Sequence, residues 1–112
     1  MKEIGIVKNV YWRNERFGGY IEGSQAHNLY IRVEPIRGNI FNFGDILRLR
    51  PQFSDDLSTI DFVITEIEWE NDFNGIGRLL LMAKSTELIK IKSFDCADAL
   101  AKVLISLKVY KV

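Results

Sequence analysis

Cysteine and histidine are nearly absent from this sequence, which has one residue of each, Cys96 and His27. A single cysteine excludes an internal disulfide and makes a reducing compartment the natural location of the protein. The two residues are also far apart in the chain, so they do not provide the spacing of a metal site. We therefore expect no bound metal and no cofactor.

Long apolar runs are missing as well. No stretch of the chain approaches the ~18 apolar residues of a membrane-spanning helix. Residues 1–4 do not begin an apolar segment of the kind found in signal peptides. These two absences predict a cytoplasmic protein with no membrane partner.

The chain has no net charge, because 15 lysine and arginine residues balance 15 aspartate and glutamate residues. This balance argues against broad electrostatic binding of duplex nucleic acid, which requires a basic surface. A local basic groove remains compatible with the composition, so the zero net charge does not exclude the binding of single strands.

The sequence also lacks the residue groups that carry most enzymatic chemistry. It has no nucleophile–base pair and no phosphate-cradling glycine loop. Asp55 and Asp56 are adjacent carboxylates, but they lie in a turn-forming cluster, where such residues are usually solvated. We expect no catalytic residue, and the protein is predicted not to be an enzyme.

What the chain does contain is typical of a folded protein. Its 112 residues are enough for one domain, or for one small domain with an appendage. Its residues are 47% hydrophobic and 27% charged, which is the composition of a globular domain with a core.

Two neighbouring alternating stretches, residues 16–23 and 28–33, are typical of β-strands. Side chains two apart on a strand share a face. One face of the second stretch is aliphatic and carries Leu29, Ile31 and Val33. The opposite faces then present Tyr20, Tyr30 and Arg32. These side chains can form a platform on which nucleobases stack, but tyrosine and arginine also occupy β surfaces for packing alone.

Four segments in this order resemble the motifs of the cold-shock domain family. They are Gly5-Ile6-Val7-Lys8, Arg16-Phe17-Gly18-Gly19-Tyr20-Ile21, Leu29-Tyr30-Ile31-Arg32-Val33-Glu34-Pro35-Ile36 and Phe43-Gly44-Asp45-Ile46-Leu47-Arg48-Leu49. The family has Gly-Ile-Val-Lys, Lys-Gly-Phe-Gly-Phe-Ile, Val-Phe-Val-His-Phe with Ser-Ala-Ile, and Gly-(Asp/Gln)-x-Val-x-Phe in these places. The resemblance covers about residues 3–68 and implies an OB-type barrel that binds single-stranded nucleic acid.

The chain departs from the family pattern at the stacking positions. Gly18 stands where the family has a second outward aromatic residue, and Arg32 replaces the outward histidine. Val33 replaces the aromatic residue that ends the second motif. These departures leave a smaller stacking platform than the family has.

The resemblance implies further contacts beside the platform. Aromatic residues just after the opening lysine help to line the nucleic-acid face in the family. Trp12 or Tyr11 can do so here, unless the ring folds over the end of the barrel as a lid. Nearby cations would contact phosphates. The predicted nucleic-acid-binding residues are Lys8, Trp12, Arg13, Arg16, Tyr20, Tyr30 and Arg32.

The middle of the chain predicts further barrel strands. Leu47 and Leu49 point one way on the first of them, while Phe41 and Phe43, just before it, are predicted to plug the barrel. Residues 59–70 form a second strand. One face carries Ile60, Phe62 and Ile64, and the other carries Val63, Ile67 and Trp69. Both faces are apolar, so another part of the chain should cover the outside.

The last part of the chain predicts a small β and α unit. Asn74-Gly75 favours a hairpin turn because both residues tolerate positive φ. Residues 76–83 and 87–94 predict two strands, and residues 96–108 predict a helix. The helix has an apolar stripe of Ala97, Leu100, Val103, Leu104 and Leu107. A unit this small rarely folds alone, so we expect it to pack on the barrel or on a second chain.

The sequence thus predicts a mainly β fold, a five-stranded OB-type cold-shock-like barrel with a C-terminal β-hairpin and one α-helix. The barrel is predicted to span residues 1–70, and the extension residues 71–112. The favoured function is the binding of single-stranded RNA or DNA by aromatic stacking and by phosphate contacts. The alternative is a protein-interaction or structural module on a degenerate barrel, with a protein partner or a homodimer formed through the extension.

Overall fold

Strands account for most of the structure, as the alternating apolar pattern predicts. The computed structural model describes residues 1–13, 25–51, 59–71, 73–91 and 94–112. The described strands are β1 (Lys2–Arg13), β2 (Gln25–Pro35), β3 (Ile46–Leu49), β4 (Ile60–Asn71), β5 (Gly77–Ser85), β6 (Ile89–Ile91) and β7 (Lys108–Lys111), and the helix α1 spans Phe94–Leu104. The prediction of a mainly β fold with an OB-like barrel is confirmed.

Six strands close into an antiparallel barrel in the order β1-β7-β3-β4-β5-β2, and pairing of β2 with β1 completes the ring. β6 joins the sheet at the first residues of β2. Closure gives the strands of the ring a neighbour on each side, which is how small barrels avoid exposed edges.

The interior is filled by the aliphatic faces that the alternation predicts. Buried residues from β2, β3 and β4 include Leu29, Ile31, Val33, Leu47, Leu49, Phe62 and Ile64. Each large apolar side chain that is removed from water contributes roughly 1.5–3 kcal/mol to stability. The predicted inward faces of these three strands are therefore confirmed.

A β-bulge in β4 changes which face the rest of that strand presents. The register with β5 shifts between Ile64 and Glu66. One extra residue reverses the alternation, so Ile67 packs against the core while Glu66 is exposed. The prediction that Ile67 points away from the core is wrong, because strict alternation does not anticipate a bulge.

The C-terminal residues form part of the barrel wall instead of packing on its outside. β5 lies between β4 and β2, and β7 lies between β1 and β3. The predicted hairpin of residues 76–94 does not form, because β5 and β6 each pair with β2. The barrel therefore has six strands instead of the predicted five, and the chain crosses residue 70 within the β4–β5 hairpin.

The helix is shorter than predicted because the chain turns back into the barrel. α1 ends at Leu104, Ser106 has a positive φ of 70°, and β7 follows at once. The Ser106 N–H donates to the Val7 carbonyl, and the Val7 N–H donates to the Leu107 carbonyl. Leu104 is fully buried in the core, but Val103 is exposed, so the predicted apolar stripe is too wide.

Candidate interaction surface

The predicted stacking platform loses one of its tyrosines to burial. Tyr30 is only 6% exposed, although it lies on the opposite face of β2 from the core residues. In the register it lies between Tyr11 on β1 and Lys84 on β5. Both of these register partners have long side chains on the same face, which accounts for the burial of a residue on the outer face. The prediction that Tyr30 is presented to solvent is wrong.

Two of the four cations predicted to contact phosphates, Lys8 and Arg32, already contact carboxylates. The Lys8 Nζ lies 3.2 Å from the Glu34 Oε2, and the Arg32 Nη2 lies 3.4 Å from the Glu68 Oε2. The Glu34 carboxylate also lies 3.9 Å from Arg78. The outer face of β1, β2, β4 and β5 thus has a mixture of paired charges in its described part. Among the described residues, this face does not form the continuous basic rim that would favour nucleic acid.

The two aromatic residues near the end of β1 differ in exposure. Tyr11 is 37% exposed, and the Arg32 guanidinium carbon lies 6.0 Å from the centre of its ring. Trp12 is half-buried against the core and lies edge-on to His27. Its indole Nε1 is buried and has no hydrogen-bond acceptor among the described residues. Tyr11 is therefore a better candidate for stacking than Trp12.

The side-chain positions of the remaining predicted binding residues are not described by the structure. Arg16 and Tyr20 lie outside the described residues. Arg13 ends β1, and its side chain is not part of what the structure describes. Of the seven predicted residues, the structure brings only Lys8, Trp12, Tyr30 and Arg32 into one described region, on the neighbouring strands β1 and β2.

A different surface is formed by the far part of the β4–β5 hairpin. We call this part the arm: residues 66–71 of β4, residues 77–80 of β5 and the described residues of the turn between them, 73–76. β3 pairs with β4 only over residues 60–63, and β2 pairs with β5 only over residues 81–84. The arm is therefore a ribbon in which, among the described strands, β4 and β5 pair only with each other. Its inner part still packs against the core through Ile67 and Leu79. Its outer part continues beyond the barrel wall and is closed by the predicted Asn74-Gly75 turn, with Gly75 at a φ of 76°.

Three large apolar residues are exposed on the arm. Trp69 is 67% exposed, Phe73 is fully exposed, and Ile76 is also exposed. The Trp69 indole lies over Gly77, where a Cβ atom would overlap the ring, and its Nε1 donates to the Asn71 side-chain oxygen at 3.2 Å. The ring is thus held in one position although most of its surface faces solvent, and this favours a binding role.

The connection between β2 and β3 lies at the same end of the barrel as the arm. The end of β2 pairs next to the start of β5, and the start of β3 pairs with β4 just before the arm begins. It presents three further exposed apolar side chains: Ile36, Ile40 and Phe43. The prediction that Phe43 plugs the barrel is wrong, whereas Phe41 packs against the core.

Polar contacts fix the shape of this connection. The Asn42 N–H donates to the Asp45 carboxylate at 2.9 Å, and the Lys111 Nζ lies 3.3 Å from the same carboxylate. The backbone hydrogen bond from Asn42, followed by Lys111, holds the pKa of Asp45 below its usual value. The exposed side chains of the connection are therefore presented by an anchored backbone.

One face of the arm is acidic. Glu66, Glu68 and Glu70 alternate with Ile67 and Trp69 along β4, so the three carboxylates share a face. The Glu70 Oε2 lies 3.2 Å from the Arg78 Nη2, and Glu68 is paired with Arg32. These exposed pairs are weak, typically about 0–1 kcal/mol, so the carboxylates remain available to another cation.

The Asn74-Gly75 turn is visible in the sequence, but the projecting ribbon that it closes was not predicted. The signal that could have shown the ribbon is the difference in length between the two neighbouring strands. The 12 residues of β4 face only the 4 residues of β3. A strand that is longer than its neighbour has an unpaired edge where the neighbour ends. Combined with an aromatic residue at the far end, this excess length points to a projecting ribbon.

Comparisons with protein-family models, with curated proteins and with solved structures found no match to this chain. The described residues contain no group of three or more histidine, cysteine, aspartate or glutamate side chains that could hold a metal ion. In the described part of the chain, no helix is long and apolar enough to cross a membrane.

Proposed function

We propose that this protein is a protein-interaction module that binds a partner through the arm. The observation that carries the proposal is the exposure of Trp69, Phe73 and Ile76 on a ribbon that extends beyond the barrel. Isolated exposed apolar residues are ordinary, but several on one projecting element are typical of a binding surface. Aromatic residues are also enriched among those that dominate binding energy.

The anchored β2–β3 connection supports the same proposal. Ile36, Ile40 and Phe43 extend the exposed apolar area at the arm end of the barrel. A backbone held by hydrogen bonds loses little conformational freedom when a partner binds, so more of the contact energy appears as affinity. Lys8 and Arg32, on the outer face of the barrel, are paired with carboxylates, which fits a protein partner better than a polyanion.

Site-specific photocrosslinking tests the proposal. A photoreactive amino acid replaces Phe73 on the arm, or replaces the exposed Leu88 away from it as the matched control. In cells that produce the protein, we expect one protein adduct at position 73 that is absent at position 88 and is lost when Trp69 is also replaced by serine. Adducts that are identical at both positions, or only nucleic acid at position 73, would contradict the proposal.

Binding of single-stranded RNA or DNA is the second candidate function. The specific observation that favours it is the exposed Tyr11 ring beside the Arg32 guanidinium, because both groups can stack on bases. A mixed-sequence single strand of about ten nucleotides, titrated at low salt, should then change the protein fluorescence.

Under this second candidate, Tyr11→Ala should weaken binding by about 1–3 kcal/mol, a factor of roughly 5–150. Phe73→Ala is the matched control and should leave the affinity unchanged, because Phe73 lies on the arm. Absence of binding at high micromolar protein would eliminate the nucleic-acid function.

A further inference from the structure

We propose that the arm binds an extended segment of a partner protein as an added β-strand on the open edge of β4, and that this segment carries lysine or arginine at alternate positions. The inference rests on the proposed interaction function and specifies the chemistry of the partner. It is drawn from the pairing of β4, the alternation of its side chains and its charge.

The open edge begins where the barrel contacts of β4 end. The last contacts on that side are the Gly44 N–H donating to the Ile64 carbonyl and the Ile64 N–H donating to the Asp45 carbonyl, each at 3.0 Å. Residues 66–71 pair with β5 on their other edge, and no described strand pairs with them on this one. An unpaired edge of six residues is long enough to accept a strand through backbone hydrogen bonds.

The side chains along the edge specify what the added strand should carry. Glu66, Glu68 and Glu70 lie on one face, and Ile67 and Trp69 lie on the other. Residues directly opposite each other on paired strands share a face, and opposite charges across the pair are favourable. A segment with cations facing the glutamates and apolar residues facing Ile67 and Trp69 therefore matches both faces.

The same charges disfavour a second copy of the chain as the natural occupant. If two copies paired through this edge with their acidic faces on the same side, glutamates would lie opposite glutamates. Like charges directly opposite each other destabilise a strand pair. Glu66 forms no ion pair with any described residue, so the edge carries negative charge that its own surroundings do not balance.

A synthetic nine-residue peptide with lysine at alternate positions and valine between them is the probe, added to the full chain at low salt. We expect binding that slows hydrogen exchange of backbone amides within residues 66–71. The triple variant Glu66→Gln, Glu68→Gln, Glu70→Gln should bind roughly tenfold more weakly. Glu87→Gln, at an exposed position away from the arm, should bind like the parent.

Two control peptides make the test selective. The first has N-methyl groups on its central residues, which remove the backbone donors and keep the charge, and it should not bind. The second has glutamate in place of lysine, and it should also fail to bind. Equal binding of either control would overturn the proposal, as would protection of the same amides by self-association of the protein without peptide.

The peptide experiment and the photocrosslinking experiment distinguish a failure of this inference from a failure of the proposed function. If the lysine peptide does not bind but position 73 still forms a protein adduct that depends on Trp69, the interaction function stands and the added basic strand is wrong. If neither result is obtained, both proposals are wrong.

Discussion

Both halves of β4 carry large apolar side chains, but their surroundings differ. In the first half, Phe62 and Ile64 are buried in the barrel between β3 and β5. In the second half, Trp69 is mostly exposed on the arm, where β5 is the only described neighbour. The bulge between Ile64 and Glu66 marks the change. The difference teaches that the distance from the barrel, more than the hydrophobicity of a residue, decides whether an apolar side chain of β4 belongs to the core. Ile67, next to the bulge, still packs against the core, whereas Trp69, two residues further along, is mostly exposed.

The largest expected difference is the loss of stability when a large apolar side chain is replaced by alanine in the core or on the arm. Leu104→Ala removes a fully buried side chain and leaves a cavity, so it should lower the free energy of unfolding by about 2–5 kcal/mol. Phe73→Ala should change it by less than about 0.5 kcal/mol, because Phe73 is fully exposed. Urea denaturation measures both. Similar losses in the two variants would mean that the arm is part of the folded core.

Two aromatic residues outside the central core sharpen the comparison. Tyr30 lies between two barrel strands and is buried, so Tyr30→Ala should cost about 3 kcal/mol of stability. Trp69 has one neighbouring strand, so Trp69→Ala should cost about 1 kcal/mol or less. Thermal unfolding followed by circular dichroism gives both values. A stability loss as small as that of Trp69→Ala would show that burial of the Tyr30 ring does not stabilise the barrel.

Glycine-to-alanine substitutions in the barrel and on the arm should also differ in their effect on stability. At Gly5 in β1 a Cβ atom would overlap the Glu34 carbonyl oxygen, which is backbone and cannot move aside, so Gly5→Ala should cost about 1–3 kcal/mol. At Gly77 the Cβ atom would meet the Trp69 ring, which can swing into solvent. Gly77→Ala should therefore preserve stability within about 1 kcal/mol. Its effect should appear as faster local motion of Trp69 in fluorescence anisotropy, measured in a Trp12→Phe background.

The smallest expected difference in stability is between the loss of an ion pair in the barrel and the loss of one on the arm. Arg48 donates to Asp61 through Nε at 2.7 Å and through Nη2 at 2.9 Å, which holds the pKa of Asp61 below its usual value. Asp61→Asn should cost about 0.5–1 kcal/mol at neutral pH. Glu70→Gln, which removes the pair with Arg78 on the arm, should cost less.

The pH dependence of the Asp61 effect has a definite sign. A carboxyl group with a lowered pKa in the folded state contributes its full stabilisation above its unfolded pKa of about 3.9. That contribution is lost as the pH falls through the lower folded value. The stability difference between the parent and Asp61→Asn should therefore shrink below about pH 4. A difference that stays constant down to pH 2 would contradict the role of the charged pair.

The sequence allowed prediction of the features that depend on local alternation. The inward faces of Leu29, Ile31 and Val33, and of Leu47 and Leu49, follow from a period of two residues, and the Asn74-Gly75 turn follows from its tolerance of positive φ. These properties are set by a residue and its nearest neighbours in the chain. For that reason they are visible without a structure.

Features that depend on strand order were not predicted. β5 and β6 were expected to pair with each other, but each pairs with β2, and no local pattern states which distant strand is the neighbour. The burial of Tyr30 depends on side chains from β1 and β5 in the same way. The open edge of β4 was missed because it is created by the early end of β3.

The position of β7 has a consequence for how the chain reaches its folded state. β7 lies between β1 and β3, so it joins the first strand of the barrel to a strand near the middle of the chain. The ring cannot close until residues 108–111 are available. During synthesis on the ribosome, the facing edges of β1 and β3 stay unpaired until β7 has been made. Such long-range pairing is slow in folding, and an open ring exposes strand edges that aggregate readily.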